Sequence, residues 1–407
     1  MPVNILDIPS EKKTVKKPPS LWLWGLILLC FTVVYVFVFL LYFPQYLSKN
    51  NYILGLELIL LPLLIWGGVF FFRVIAWNNE YVEAIDWNKT RGDFYQEMLS
   101  KGRIALSIRD LKIIVPDING DISNVVNNSL LPVRYTPDST LMARYLAFDS
   151  TVINKKKTGG ELNRKIYLFN KLISELIDDI YLHLSLLPKL TKVNVVCALD
   201  SELSTMMQNI WDVRFKNNFP GVDLQFSESL LVTIDSYLDD HRNEFVVFVS
   251  ASLFDDHDLS GERIKNKSES VMLLFGERCN NEKDNVYSLG CLFRPENDWQ
   301  GIDKSLIWGC VPEKQMLSGV IYSGLNDQEK NKLILKTSGF MSESALSSYS
   351  FIDTDDLFCT CPPLTEFLQF QYLKENKDDG CYLIVNKNDD LLTSYIITLK
   401  ANESGEI

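Results

Sequence analysis

The chain has 407 residues, 47% of them apolar and 23% charged, with a formal charge of −12. That composition can bury a sizeable core and excludes a wholly disordered chain. Residues 1–91 carry eight basic and six acidic side chains, a net of +2, so residues 92–407 carry −14, a balance that repels nucleic-acid backbones.

Leu21–Phe43 runs 23 residues without a charge, opened by Trp22 and Trp24 and closed by Tyr42 and Phe43. As a helix it reaches about 34 Å, enough to cross a bilayer with aromatic anchors at each interface. The run is too long for a cleaved signal, and no small-x-small site follows it. A second run, Tyr52–Trp77, follows the short polar link Pro44–Asn51, so the pair reads as a transmembrane helical hairpin. With only two such segments, a polytopic transporter is excluded. Lys12, Lys13, Lys16 and Lys17 precede the first helix, Arg73, Lys89 and Arg91 lie toward the end of the second and beyond it, and the link holds only Lys49. Positive flanks stay inside, which places both termini in the cytoplasm of a bacterial inner membrane. Within the second run, Glu57 reads as a shallow interfacial carboxylate, Pro62 as a kink, and Gly67-Gly68 as a close-approach surface for a homo-oligomer or another membrane protein.

Residues 78–102 read as an amphipathic extension. Arg103–Val115 is strand-like, residues 116–140 are loop-rich, and Leu141–Phe148 is a short apolar stretch. Glu161–Leu187 is the clearest helix, with Ile166, Phe169, Ile173, Leu176, Ile177, Ile180 and Leu184 on one face. Then alternate a strand (192–198), a helix (201–217), a strand (222–226), a helix (228–240) and a strand (244–250). Continuously apolar strands between helices predict an α/β fold with a mainly parallel sheet. Ser270–Glu277 and Val286–Arg294 read as adjacent strands, Lys332–Ser338 as a strand, Pro363–Glu375 as a helix, and Cys381–Asn386 with Thr393–Leu399 as a terminal hairpin turning at Asp389-Asp390. No repeat of fixed period occurs. The organisation is therefore a basic N-terminus (1–20), a hairpin (21–77), a linker helix and first soluble part (78–158), an α/β domain (159–400) and a frayed tail (401–407).

The order of the C-terminal elements (ESVMLLFG, KLILKTSG, PLTEFLQFQYLKE, then a hairpin) resembles the second half of thiolase-like, β-ketoacyl-synthase-like domains. That resemblance implies a nucleophilic Cys at a strand-to-helix turn with His or Asn partners. Cys197 lies on a strand near a helix, but only His241 and His257 follow it, in no Gly-rich context. The resemblance thus implies a fold whose catalytic residues are lost. In general layout, a membrane anchor before a large α/β domain, the chain also resembles type VI secretion lipase-adaptor proteins.

Local clusters are weak beside these. Cys359-x-Cys361 lacks a second ligand pair, Cys310 and Cys381 being the nearest thiols, and reads as a buried turn. Asp255-Asp256-His257-Asp258 reads as a solvated loop, His183 as a partly buried structural residue, and Lys155–Lys157 as a solvated loop that could touch anionic lipid. Thr158-Gly159-Gly160 is no phosphate loop, because the lysines precede the glycines. Seven of the eight Cys lie in the soluble part, at spacings that give no disulfide framework. No catalytic, cofactor or metal residue is assigned.

The leading expectation is a non-catalytic adaptor that recruits a protein partner to the membrane, with no cofactor. The alternatives are a membrane-bound acyl-transferring or lipid-active enzyme of diverged thiolase-like fold, and an immunity protein against a membrane-acting toxin. The orientation is checked directly: a reporter fused after Ile407 is expected to be active in the cytoplasm, and activity on the outer face would overturn it.

Overall fold

The computed structural model describes residues 5–13, 17–42, 51–116, 122–123, 134–135, 144–148, 164–187, 192–219, 222–227, 230–239, 245–255, 267–279, 288–311, 313–342, 345, 350–355, 365–376, 379–388 and 391–399, without the side chains of 51–57, 122–123, 134–135, 144–146, 223, 267–268 and 375–376. The chain folds as two separate units, Asn4–Met98 and Leu99 to the C-terminus.

The first unit is built on α1 (Leu21–Tyr42) and α2 (Asn51–Gly102). Both are long and apolar enough to cross a membrane. The sequence predicts a span followed by a separate extension; α2 instead runs unbroken over 52 residues with Pro62 inside it. The indole Nε1 of Trp66 donates to the carbonyl of Trp24 at 2.9 Å, and Phe70 stacks on Trp66 while meeting Trp24. Further out, the Asn88 amide bonds both the N–H and the C=O of Lys12 at 2.9 and 3.0 Å, and Arg91 donates to the carbonyl of Pro9. The chain ahead of α1 and α1 itself therefore run antiparallel to α2. The ion pair of Lys12 with Glu83 at 2.6 Å is exposed and adds little.

In the second unit two successive sets of elements repeat one plan. The first comprises β1 (Ala105–Pro116), α3 (Arg164–Leu186), β5 (Val193–Ala198), α4 (Ser201–Arg214), β6 (Val222–Ser227), α5 (Leu230–Asp239), β7 (Phe245–Ser252) and β9 (Ser270–Cys279). The second comprises β10 (Gly290–Phe293), α6 (Asp298–Trp308), β12 (Leu317–Ser323), α7 (Asp327–Thr337), β13 (Phe351–Asp353), α8 (Thr365–Asn376), β14 (Gly380–Asn388) and β15 (Leu391–Leu399). Short strands fill the connections: β2 (Ile122–Ser123) extends β1, β11 (Glu296–Asn297) pairs with β15, and β3 (Arg134–Tyr135), β4 (Arg144–Leu146) and β8 (Lys267–Ser268) form a small separate sheet.

The main sheet runs β13-β12-β14-β15-β10-β1-β9-β7-β5-β6. Read outward from the centre, each half places its first strand, then its last, fourth, second and third. In each half the last strand is antiparallel to the rest, and the halves join where β1 pairs antiparallel with β10. The unit is thus internally duplicated, a repeat that no period in the sequence reveals. One sheet face, with α5 and α8 on it, forms a core common to both halves. On the opposite face α3 and α4 cover the first half, and α6 and α7 the second.

The mixed α/β class agrees with the sequence, and α3 buries Phe169, Ile173, Leu176, Ile177, Ile180 and Leu184 as its spacing predicts. The terminal hairpin forms in continuous antiparallel register from Gly380↔Leu399 to Asn388↔Leu391. Three expectations need correction. The sheet is parallel only in its wings; its middle is antiparallel. Ser270–Glu277 and the strand ending near Arg294 are not neighbours, because β1 lies between them and pairs with both. Lys332–Ser338 is helical: Asn326 and Glu329 form a capping box that starts α7, and the apolar run behind it buries Leu333 while leaving Leu335 80% exposed. The capping signature outranks a run of four β-compatible residues. The sequence reading also missed α6 and β12.

One buried pair ties the first half together. Arg164 and Glu269 are 1% and 0% exposed and meet through two bonds of 2.6 and 2.7 Å. Glu269 also accepts from the backbone N–H groups of Phe148 and Phe254, and Arg164 donates to their carbonyls. Glu269→Gln leaves a buried guanidinium without its counter-charge and is expected to destabilise the unit by about 3–5 kcal/mol in urea unfolding, whereas the double change Arg164→Met, Glu269→Met recovers most of that loss.

Candidate functional site

In the second half the strands β12, β13 and β14 end beside the N-terminus of α8, the edge where open α/β sheets gather functional groups. The turn after β12 passes through Gly324 at φ +73°, where a Cβ would meet the Lys387 carbonyl at 2.1 Å. That tight passage lets the Asp355 carboxylate accept from the Gly324 N–H at 2.7 Å and the Ser323 hydroxyl at 2.9 Å. Thr354 follows β13 and donates its hydroxyl to the Tyr322 carbonyl at 3.1 Å.

Helix α8 is buried around the whole of Thr365–Phe370. A helix with no solvated face must find partners for its polar side chains inside the protein. Gln369 does so. Its amide exchanges two hydrogen bonds with Asn386 of β14, at 2.7 and 2.9 Å, and donates a third to the Thr354 hydroxyl at 3.0 Å. Glu366, three residues earlier, does so only in part: its Oε2 is buried with no hydrogen-bond partner. Burial pushes its carboxyl up from 4.5 to about 7, its own backbone N–H being the opposing influence. The helix N-terminus favours the charged form by at most about 2 kcal/mol, so desolvation wins. Across from it, Tyr395 of β15 is fully buried, and its Oη has no well-formed hydrogen bond. Burial and then the Glu366 charge hold this phenol well above its ordinary value, with Asn386 beside it acting in the opposite sense. Each such unpartnered group costs about 1–3 kcal/mol.

Among the described residues the first half places no such polar cluster under its α5. The Ala198↔Ser250 pair corresponds to Ser323↔Asn386, but the Ser250 hydroxyl turns back to the Ala198 carbonyl at 2.9 Å, and α5 presents Leu230, Ile234 and Leu238 to the core. The polar cluster therefore breaks the symmetry of the duplicated fold.

The residues singled out in the sequence lie elsewhere. Cys197 is a wholly buried core residue of β5, its thiol pushed far up by burial, which disposes of it as a nucleophile. Cys310 and Cys381 are buried and unlinked, and burial, then the neighbouring Cys310, raises Cys381 to about 12. His183 contacts Asp110 at 3.0 Å and packs on Phe275, a structural position. Asp255 is described; Asp256–Asp258, His241, Cys359, Cys361, Lys155–Lys157, Thr158–Gly160, the side chain of Glu57, Asp389-Asp390 and the tail lie outside the described residues. Among the described residues no three His, Cys, Asp or Glu side chains converge as metal ligands. The sequence reading missed Glu366, Gln369, Asn386 and Tyr395. The available signal was polar residues at 366 and 369 set among aromatics, and Asn386 ending a continuously apolar strand.

No protein-family model matches the sequence, and no curated protein matches it. Among solved structures it is similar to 3-oxoacyl-[acyl-carrier-protein] synthase III from Aquifex aeolicus, at 10% identity over 72% of this chain and 100% of that one, with a TM-score of 0.40. It is similar to the ishigamide ketosynthase/chain length factor at 10% identity over 73% and 100%, TM-score 0.44. Xanthomonas campestris OleA bound with cerulenin matches at 10% identity over 73% and 97%, TM-score 0.41. These are proteins of the kind the element order resembles, and none is a secretion adaptor. Likeness at this level says nothing of chemistry; the α/β class rests on the strand pairings above.

Because folded Glu366 holds its proton to about pH 7 and the unfolded chain releases it near 4.5, this residue lowers stability as pH rises through that window. Glu366→Gln is expected to flatten the decline, so that wild type loses about 3 kcal/mol relative to the variant between pH 4 and pH 8 in denaturant titrations.

Proposed function

We propose that this chain is a membrane-anchored acyl-handling protein of diverged thiolase-like layout, in which the α/β unit binds the carbonyl end of an apolar-tailed ligand and thiol chemistry at Cys197 has been given up. The observation that carries the reading is the Glu366 cluster, a protonatable carboxyl, a phenol and an amide pair set into an otherwise apolar core shared by both halves. Such a setting suits a ligand with one uncharged polar group and a long apolar remainder. The hairpin, with its basic flanks, keeps the unit at the cytoplasmic face of a bacterial inner membrane, next to a source of such ligands.

The test uses full-length protein in mild detergent with an uncharged probe, the decanoyl thioester of N-acetylcysteamine. A co-purifying acyl compound found by native mass spectrometry, or a saturable rise in Tm of several degrees that the matching thioether does not produce, is the expected result. A preparation with neither would overturn the reading. A stoichiometric co-purifying protein in its place would return the adaptor and immunity readings to the front.

A further inference from the structure

α2 carries a stripe that α1 and the N-terminal segment leave open. Gly67, Phe71, Val74, Asn78, Tyr81 and Ile85 follow one another at alternating steps of four and three residues, and the same spacing reaches back to Leu64 and Leu60. Residues so spaced share one face of a helix, and a run of this length is the seam of a coiled coil. Leu60, Leu64, Phe71, Tyr81 and Ile85 are exposed, Phe71 by 62% and Ile85 by 41%, and a Cβ at Gly67 would meet nothing within 4 Å. Trp66 and Phe70, which meet Trp24 of α1, and Asn88 and Arg91, which hold the N-terminal segment, lie roughly a quarter-turn round the helix from it. No charge falls on the stripe; Arg73, Glu80, Glu83 and Asp86 lie on other sides of α2. Lipid accounts for an open apolar face as far as Trp77, where the apolar run ends. The helix continues unbroken into its polar extension, and the stripe continues with it through Tyr81, Ile85 and the exposed Val82 beside them. A contiguous apolar face in water marks an interaction surface.

We propose that this stripe is the seam of a parallel, in-register dimer, in which α2 packs against the α2 of a second copy of the chain. Asn78 is what points to a second copy. Leu64, Phe71, Asn78 and Ile85 recur every seven residues along one edge of the seam, the a position of a heptad, and Gly67, Val74 and Tyr81 along the other, the d position. Asn78 is exposed and is the one amide in the row. A single asparagine at a in an apolar seam meets its own counterpart across the twofold axis, where each amide has a donor and an acceptor for the other. A slip of one heptad would set each Asn78 against an apolar side chain and cost that bond. Copies inserted in a bilayer in the same sense already have parallel α2 helices, so the asparagine has only the register to fix. A seam without charge sets no repulsion between identical helices. Gly67 lets the two backbones approach within the bilayer, while Tyr81 and Ile85 bury apolar surface outside it. From Leu60 to Ile85 the seam is about 38 Å long at 1.5 Å per residue. The proposal stands apart from the acyl-handling reading and uses none of its residues.

Full-length wild type, Asn78→Leu and Ile85→Glu are compared by native mass spectrometry from mild detergent over a dilution series. Ile85→Cys and Asp86→Cys are compared with wild type by copper-phenanthroline oxidation in membranes. Asn78, Ile85 and Asp86 are all exposed, so each variant keeps the protomer fold, checked by circular dichroism. Wild type is expected at twice the chain mass. Ile85→Glu, which sets two like charges across the axis, is expected to raise the dimer dissociation constant roughly tenfold or more. Asn78→Leu is expected to associate still, but to populate larger assemblies beside the dimer, because the residue that fixes register and number is gone. Ile85→Cys is expected to give a disulfide-linked dimer well above the wild-type level, and Asp86→Cys, about 100° round the helix, to give none. A wild type that stays monomeric at every concentration would sink the proposal. So would equal cross-linking at positions 85 and 86, a dimer that Ile85→Glu leaves as tight as before, which belongs to another surface, or a strict dimer of unchanged affinity in Asn78→Leu.

Discussion

β1 has ladder partners on both edges: β9 in nine register positions from Ala105↔Cys279 to Ile114↔Val271, and β10 in four from Ala105↔Phe293 to Ile108↔Gly290. A strand inside a sheet whose faces are both covered satisfies most of its backbone through its ladder neighbours. Here the partners come from different halves of the unit. The β1–β10 pairing therefore makes two copies of one plan into a single sheet, and the common core with α5 and α8 follows from it. Even its irregularity is used: the register shift between Ile108 and Asp110 frees Arg109 to pair with Glu277 and aims Asp110 at His183.

Duplication lets the halves diverge without losing the fold, because each needs only apolar residues of suitable volume at matching positions. The first half keeps an apolar helix, α5, on the shared face and holds Cys197 sealed in its core. The second departs from it on the inner face, where Glu366 and Gln369 lie on α8 and Asn386 and Tyr395 on the strands beneath it. Buried polar groups left half satisfied weaken a core, and proteins that retain them tend to do so where binding or chemistry occurs. That asymmetry, and not likeness to other structures, is what supports placing the proposed site here.

Stability and function also divide by type of polar pair. Arg164–Glu269 is buried and doubly hydrogen-bonded, leaving only the Arg164 Nε without a partner, and it ties four backbone groups at Phe148 and Phe254 into one clasp. Glu366 and Tyr395 are equally buried and unsatisfied.

Read from the chain alone, the two apolar helices, the α3 stripe, the alternating strands and helices of residues 192–252 and the terminal hairpin were all legible, because each is written in local periodicity or in an uninterrupted apolar run. Three things were not legible. The place of β1 between β9 and β10 depends on pairings across more than 150 residues, α7 looked like a strand until its Asn326–Glu329 cap was weighed, and the duplication resides in strand order, which leaves no period in the residues. The site belongs with these. Glu366 and Gln369 read locally as polar positions on a helix, and Tyr395 as an ordinary strand aromatic; only when α8 is enclosed on every side and β15 is laid against it does the removal of water leave the Glu366 Oε2 and the Tyr395 Oη buried without partners.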